Sequence, residues 1–186
     1  MYILLNAVSK NGIILLLNKK KEIILEKEFS ILGEESSKIG DIFLDFLKNN
    51  KINIEDIKNI IVINGPGSFT GIRTITLFVN TLAFIYKNIN ITEVSFFSLF
   101  TDYPVIKASS KRDLFVKKSK NNIIEILKNE EFLDYVEKNN IDNIYGEEIN
   151  IIKTNSYINY KEFLKSLTLG TKREINAFYL KKPSIN

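Results

Sequence analysis

Ten consecutive residues decide the fold: Asn64-Gly65-Pro66-Gly67-Ser68-Phe69-Thr70-Gly71-Ile72-Arg73. Before them, residues 59–63 form a continuous apolar run, typical of a strand that is covered on both faces. After them, helical spacing of apolar residues extends to Tyr86. Because glycine permits positive φ and close backbone approach, the stretch predicts a tight loop between a buried strand and a helix. A further apolar strand over residues 91–95 completes a β–α–β unit.

The chemistry of this loop leaves two interpretations open, a phosphate contact and a structural turn. A helix N-terminus presents unpaired N–H groups and the positive end of its dipole to an anion. The spacing fits neither a P-loop, because Ile72 replaces the lysine, nor a dinucleotide fingerprint, because Thr70 replaces the third glycine. The candidate phosphate-contact residues are Gly65, Gly67, Ser68, Thr70, Gly71 and Arg73.

The segments before the loop predict an antiparallel meander followed by a helix. Apolar runs at residues 2–8, 12–17 and 22–29 are joined by short polar links, as in hairpins. Residues 34–49 place apolar side chains on one helical face. The helix after the loop is apolar on two sides, which predicts either deep burial or a partner. Candidate partner contacts on the two helices are Ile39, Phe43, Phe46, Ile75, Phe78, Val79 and Leu82.

The second half of the chain gives weaker signals. They predict a hairpin, a helix, a short strand, a second helix and a terminal strand or arm. These elements cover residues 104–108 with 114–118, 130–139, 141–145, 160–167 and 178–182. We expect a boundary near Phe100–Tyr103, which divides the chain into a first lobe over residues 1–102 and a second over 103–186.

Three amino acids are absent, and with them several kinds of chemistry. The 186 residues include no Cys, no His and no Trp. This excludes disulfides, thiolate nucleophiles, Ser–His dyads and imidazole or thiolate metal sites. A metal site would need oxygen ligands alone, and the sequence predicts no metal and no cofactor. Apolar runs fall short of a bilayer span and the N-terminus lacks a signal-peptide pattern, so we expect a soluble, cytoplasmic protein without membrane contact.

A basic stretch over residues 107–120 stands out against a net charge of +4. Only three of the 26 basic residues are arginine, so the overall basicity is typical of drift toward A/T-rich codons. The stretch itself favours either a solvated edge hairpin protected by lysine or a surface that faces phosphates. The candidate tRNA-contact residues are Lys107, Lys111, Arg112, Lys117 and Lys118.

The ten-residue stretch closely resembles the G-P-G-S-F-T-G-[IL]-R signature of the TsaB family. TsaB is the bacterial non-catalytic partner of TsaD in making N6-threonylcarbamoyladenosine at position 37 of tRNA. Residues 94–99 are similar to the strand end of that family, residues 107–116 to its basic hairpin, and residues 179–181 to its C-terminal Y-L-R. The resemblance is good over residues 1–100 and loose over 101–186.

This resemblance implies an α/β actin/Hsp70-like (ASKHA) fold with two related lobes of mixed sheets, the second lobe reduced. It implies a non-catalytic scaffold subunit that binds a TsaD homologue through helices of the first lobe. The face of the first helix would pack on the sheet or join the bundle between the two proteins. The TsaE ATPase would join a larger complex, the chain alone could form a homodimer through the same surface, and tRNA would be reached only through the complex.

The chain departs from the family pattern at positions that matter for chemistry. The first strand ends in Asn6-Ala7-Val8-Ser9, where relatives usually carry an acidic residue, and Glu35-Ser36-Ser37 stands where they usually have His-Ser. Both losses favour a scaffold over a catalyst. The alternative is a small actin-like kinase or ATPase that uses the glycine-rich loop for phosphate and a carboxylate-held Mg²⁺. A stand-alone tRNA binder is a third hypothesis, against which the low arginine content counts.

Overall fold

The computed structural model describes residues 1–9, 11–31, 38–67, 69–147, 149 and 152–178. The contacts within the chain divide it into two units. The first runs from Met1 to Phe96 and takes up the chain again from Leu164, and the second is Phe97–Phe163. The sequence predicted a boundary after residue 102 with a single return-free second lobe. The structure divides the chain at residue 96 and returns the C-terminal segment to the first unit.

The first unit is built on a five-stranded mixed sheet with the order β3-β2-β1-β4-β5. The meander β1, β2 and β3 is antiparallel, whereas β4 runs parallel to β1 and to β5. The apolar run of β4 is buried at every position, as its lack of alternation predicted. The strands are β1 (Tyr2–Asn6), β2 (Asn11–Leu17), β3 (Ile23–Ser30), β4 (Asn59–Ile63) and β5 (Asn90–Val94).

Two helices, α1 (Ile39–Asn49) and α2 (Phe69–Ile85), complete the first unit. The apolar face of α1 and one side of α2 belong to one core cluster with side chains of the sheet. The prediction that the α1 face packs on the sheet is therefore confirmed. Phe43 meets Phe78 edge-on, with ring centroids 5.2 Å apart. The predicted beginning of α1 at residue 34 lies outside the described residues up to residue 37.

The second unit repeats this arrangement on a smaller scale. Its four-stranded sheet has the order β8-β7-β6-β9, with an antiparallel meander and a parallel fourth strand. This is the order β3-β2-β1-β4 of the first unit, so the prediction of two related lobes with a reduced second lobe is confirmed. Its elements are β6 (Val105–Ala108), β7 (Asp113–Lys117), β8 (Glu125–Lys128), α3 (Asn129–Lys138) and β9 (Tyr145–Gly146), and α4 (Tyr160–Ser166) spans the division between the units.

The structure corrects two elements that were predicted in this half. Strand β8 was missed, because its four residues Glu-Ile-Leu-Lys carry too short an alternation to stand out. The strand predicted at residues 141–145 begins only at Tyr145. The backbone N–H of Ile141 donates to the carbonyl oxygen of Val136 at the end of α3, 3.0 Å away, so Ile141 still terminates the helix. The arm predicted at 178–182 lies outside the described residues beyond Phe178. Among the described residues, the structure holds no helix with the length and apolarity that a bilayer crossing requires.

Candidate functional site: the glycine-rich loop and helix α2

The glycine-rich loop begins where β4 ends and is tied at once to the neighbouring strand β5. The backbone N–H of Asn64 donates to the carbonyl oxygen of Val94 at 2.8 Å, and that of Phe96 donates to the carbonyl oxygen of Gly65 at 2.7 Å. Gly65 has φ +87°, a conformation that L side chains rarely adopt. The first turn of the loop therefore extends the ladder between β4 and β5 and requires a glycine.

The middle of the loop packs against the connection between β1 and β2. A Cβ atom added at Gly67 would lie 2.8 Å from the carbonyl oxygen of Val8 and 2.9 Å from its Cβ atom. At Gly65 the added atom would lie 3.2 Å from the carbonyl oxygen of Phe178. Protein atoms therefore occupy the space that the missing side chains leave. Of the two interpretations of the loop, this packing favours the structural turn.

The remaining residues predicted to contact phosphate lie around the start of α2. Thr70 and Arg73 are exposed in its first turns, whereas Gly71 is buried. Ser68 lies outside the described residues. Thr70 and Arg73 are therefore accessible to solvent, and a phosphate contact at this helix terminus stays a prediction.

The end of strand β1 carries the residue that replaces the acid of relatives. Asn6 is buried, and its Oδ1 atom accepts a hydrogen bond of 3.4 Å from the backbone N–H of Val8. The amide thus supports the turn against which Gly67 packs. Within the described parts of the chain, no three Asp or Glu residues come close enough to form a metal cluster.

Helix α2 has one apolar side that the first unit does not cover. Leu77, Phe84 and Ile85 are exposed by 69%, 74% and 58% respectively. Together with the exposed Thr81 they lie three, four or seven residues apart and so share one side of the helix. We call Leu77, Thr81, Phe84 and Ile85 the α2 face. Neighbouring exposed apolar side chains of this kind mark an interaction site more often than isolated ones do.

The residues predicted as partner contacts are not those that the structure exposes. Six of the seven belong to the buried core of the first unit, and only Phe78 is half-buried. The physical reason is that helical spacing alone does not tell the sheet-facing side of a helix from the opposite side when both are apolar. The corrected residues are Ile39, Phe43, Phe46, Ile75, Val79 and Leu82.

The basic stretch is also corrected at one position. Lys107 is only 1% exposed, because its position in β6 faces the interior of the second unit, so it is not part of a surface patch. Lys118 forms an ion pair of 2.8 Å with Glu125, and its Nζ atom lies 5.0 Å from the ring centroid of Tyr135. Lys117 is half-buried, whereas Lys111 and Arg112 are exposed in the turn between β6 and β7. These two side chains are the accessible remainder of the predicted patch.

The buried Lys107 has a carboxylate partner at the end of β9. Its Nζ atom lies 3.2 Å from an Oε atom of Glu147, which also accepts a hydrogen bond from the backbone N–H of Ala108 at 3.3 Å. Burial lowers the pKa of the Lys107 ammonium, and the neighbouring Glu147 carboxylate opposes that shift. No pattern in the sequence distinguished this lysine from its exposed neighbours.

Comparison with known proteins places this geometry in a known structural class. The family model "TsaD: tRNA N6-adenosine threonylcarbamoyltransferase" matches residues 34–98, the part that carries α1, β4, the loop and α2. YeaZ from Pseudomonas aeruginosa superposes with a TM-score of 0.56 at 18% identity, over 69% of this chain and 67% of that one. A search of curated proteins found no match.

A second solved structure gives the same result. It is described as an uncharacterized protein with similarity to peptidase YEAZ from Pseudomonas aeruginosa, and it superposes with a TM-score of 0.51 at 17% identity. The superposition covers 68% of this chain and 62% of that one, so the chain spans about two thirds of the length of these structures. The fold is the actin-like (ASKHA) fold that these neighbours share. The match of the family model to the loop region, together with YeaZ, a TsaB-family structure, supports a TsaB-like protein.

Proposed function

We propose that this chain is a TsaB-type scaffold subunit that binds a TsaD-type partner through the α2 face. In this role it supports the formation of N6-threonylcarbamoyladenosine at position 37 of tRNA and does not catalyse the transfer itself. The observation that carries the proposal is the α2 face, on which Phe84 is exposed by 74% and Leu77 by 69%. The TsaB-like fold and the glycine-rich motif support the choice of partner.

The α2 face has the properties of a protein-binding surface. Burial of Leu77, Phe84 and Ile85 against a partner would remove large apolar areas from water, the main favourable term in protein association. The helix behind this face is held by a buried core, because Val79 and Ala83 are inaccessible on its opposite side. A partner would therefore meet a helix that already has its bound conformation, which limits the entropy cost of binding.

The proposed lack of catalysis rests on the neighbourhood of the loop. An actin-like phosphotransferase needs room for phosphate at the loop and a carboxylate that holds the metal. Here Gly67 packs against Val8 and the strand end carries Asn6, whose side chain supports the turn. Both features favour a loop that has become part of the packing of the first unit.

Charge introduced on the α2 face tests the proposal directly. We expect Phe84→Glu to weaken binding of the TsaD homologue from the same source by at least about 100-fold, because loss of a central apolar anchor costs on the order of 2 kcal/mol or more. Titration calorimetry with the two purified proteins measures the effect. Ile123→Glu is the matched control, since Ile123 is 81% exposed in the second unit and outside the α2 face.

Three outcomes decide the matter. Binding of the wild type, its loss in Phe84→Glu and its retention in Ile123→Glu would support the proposal. Equal binding by all three proteins would contradict the proposed surface, although not the partner. Absence of binding by the wild type, both alone and with the TsaE ATPase and nucleotide present, would contradict the proposed function.

The other expected partners follow from the same proposal. A homodimer formed by the free chain would use the α2 face and would dissolve when the TsaD homologue is added. The TsaE ATPase would join only the larger complex, and tRNA would be bound only through that complex. Light scattering after size-exclusion chromatography distinguishes these species by mass.

The alternative function, a small actin-like kinase or ATPase, needs nucleotide at the loop. The exposed Thr70 and Arg73 at the start of α2 are the residues that favour it. Calorimetry with ATP, ADP and Mg²⁺, with and without the TsaD homologue, separates the two functions. We expect no heat of binding attributable to this chain. Binding that Arg73→Ala abolishes would support the alternative.

A further inference from the structure

The C-terminal part of the first unit crosses over the end of the sheet and reaches helix α2. Residues 170–176, which we call the clasp, form no helix or strand of their own beyond one bridge between Ile91 and Lys172. The backbone N–H of Ile91 donates to the carbonyl oxygen of Lys172 at 2.8 Å, so the clasp adds to the outer edge of β5. Gly170 joins it to the sheet, because Thr92 and Asn59 bind its backbone N–H and carbonyl at 2.8 Å each.

Three side chains connect the clasp to α2 from one end of the helix to the other. Near the N-terminal end, the Nδ2 atom of Asn64 donates to the carbonyl oxygen of Asn176 at 2.7 Å. In the middle, the amide of Asn80 binds both backbone groups of Ile175, donating at 2.9 Å and accepting at 3.0 Å. This two-way pairing fixes Ile175, whose side chain enters the core of the first unit.

Arg173 holds the C-terminal end of the helix. Its guanidinium donates to the carbonyl oxygens of Ala83, Tyr86, Lys87 and Ile89, the bond to Lys87 measuring 2.8 Å. The last carbonyls of a helix have no partner within the helix, and a cation there also meets the negative end of the dipole. One planar side chain with five donors therefore terminates α2.

The carbonyls that Arg173 binds lie within the same turns as the most exposed part of the α2 face. Ala83 immediately precedes Phe84 and Ile85, and the Nζ atom of Lys87 lies 4.4 Å from the centroid of the Phe84 ring. We propose that the clasp positions the C-terminal half of the α2 face for the partner, with Arg173 as the positioning residue. The inference rests on the proposed function, because it assigns to the clasp a part in binding the TsaD-type partner.

The physical argument is one of preorganisation. The end of a helix frays where its terminal carbonyls are unsatisfied, and a partner that needs Phe84 in place binds only the ordered fraction of molecules. Removal of the guanidinium should therefore lower the apparent affinity even though Arg173 does not lie on the α2 face. It should also raise the rate of hydrogen exchange of amides 83–89 before any partner is added.

The test compares Arg173→Ala with two controls by hydrogen exchange and by titration with the TsaD homologue. Lys172→Ala removes the adjacent cation, which pairs with Glu93 and not with α2. Leu15→Val destabilises the buried strand β2, so it shows what a general loss of stability does to binding. We expect Arg173→Ala to speed exchange of amides 83–89 about tenfold and to weaken partner binding about tenfold, with both controls close to the wild type. Arg173→Lys, with fewer donors, should restore part of both effects.

Several results would overturn the inference. Wild-type affinity in Arg173→Ala would do so, as would an equal loss of affinity in Leu15→Val. If Arg173→Ala does not fold, Asn80→Ala replaces it, and unchanged affinity in that variant would have the same meaning. If the wild type itself does not bind the partner, the proposed function fails and the inference fails with it. Fast exchange of α2 in Arg173→Ala together with normal binding by all variants would leave the proposed function standing and overturn the inference alone.

Discussion

The two units share one strand order but use the end of the fourth strand in opposite ways. In the first unit β4 continues into the glycine-rich loop and the 17 residues of α2. In the second unit β9 is two residues long and continues into Glu147, whose carboxylate binds the buried Lys107. Gly65 and Gly146, with φ +87° and +113°, lie at the two strand ends. The same topology therefore supports a helix with an exposed apolar face in one unit and a buried ion pair in the other.

The difference shows where each unit obtains its stability. The first unit covers one side of its sheet with two helices and a continuous apolar core. The second has a smaller cluster, formed by Ile106, Leu114, Val116, Phe132 and Ile152. A small core tolerates a buried charge only if a partner compensates it. We infer that the second unit depends on one electrostatic contact, whereas the first depends on close packing around its loop.

The largest effect is expected in the second unit, at Glu147. Glu147→Ala leaves the buried ammonium of Lys107 without its carboxylate and should lower the free energy of unfolding by about 3–5 kcal/mol. Lys107→Met removes the charge itself and should be neutral or stabilising, because a flexible apolar side chain of similar length fills the space. Urea unfolding measures both variants. Equal destabilisation by the two would contradict the electrostatic account.

The next effect is expected in the first unit, at Gly67. Gly67→Ala places a Cβ atom 2.8 Å from the carbonyl oxygen of Val8, and we expect the overpacking to cost about 1–3 kcal/mol. Gly40→Ala is the matched control, since its Cβ atom would lie 3.4 Å from the ring of Phe78 and α1 should gain up to about 1 kcal/mol. Thermal unfolding distinguishes the two variants. A harmless Gly67→Ala would show that the loop has free space, as phosphate binding requires.

A pH dependence should separate Lys107 from the exposed lysines. Because burial lowers the pKa of Lys107 from its ordinary 10.5, the unfolded chain binds more protons than the folded chain between the lowered value and 10.5. Stability from this group therefore rises with pH in that window. Burial raises the pKa of Tyr103, which acts in the opposite direction above pH 10.0. The stability difference between Lys107→Met and the wild type should shrink as the pH rises, and a constant difference would contradict the assignment.

The smallest effect is expected at the exposed basic turn of the second unit. Arg112→Glu should leave unfolding within about 0.5 kcal/mol of the wild type. If the turn contacts tRNA phosphates in the complex, the substitution should weaken tRNA binding a few-fold and make the salt dependence shallower by about one unit. Filter binding of tRNA to the complex at several salt concentrations measures this. Lys19→Glu, at an exposed position of the first unit, is the control.

The sequence predicted best those elements whose signals are long or unusual. The meander, the fully buried β4 and the loop with its following helix all lie where the periodicity and the glycines indicated. Residues 141–145 misled, since the apolar Ile141 ends α3 and does not begin a strand. Short elements such as β8 fall below the length at which alternation is distinctive.

The candidate site was only partly predictable. Glycine content identified the loop, but the approach of Val8 to Gly67 depends on tertiary packing. Helical spacing identified α2 as unusually apolar, yet the buried Leu82 and the exposed Phe84 differ only in which neighbours the fold places beside them. Arg173 and Lys107 gave no signal at all, because basic residues are common in this chain and their burial arises from contacts distant in sequence.

Hydrogen exchange of the chain with and without its TsaD homologue tests the central claim most directly, because it examines both units at once. The account predicts that the partner slows exchange in α2, above all around residues 77–85, and leaves β6, β7 and β8 unchanged. Protection confined to the sheet of the second unit, or no protection at saturating partner, would contradict it.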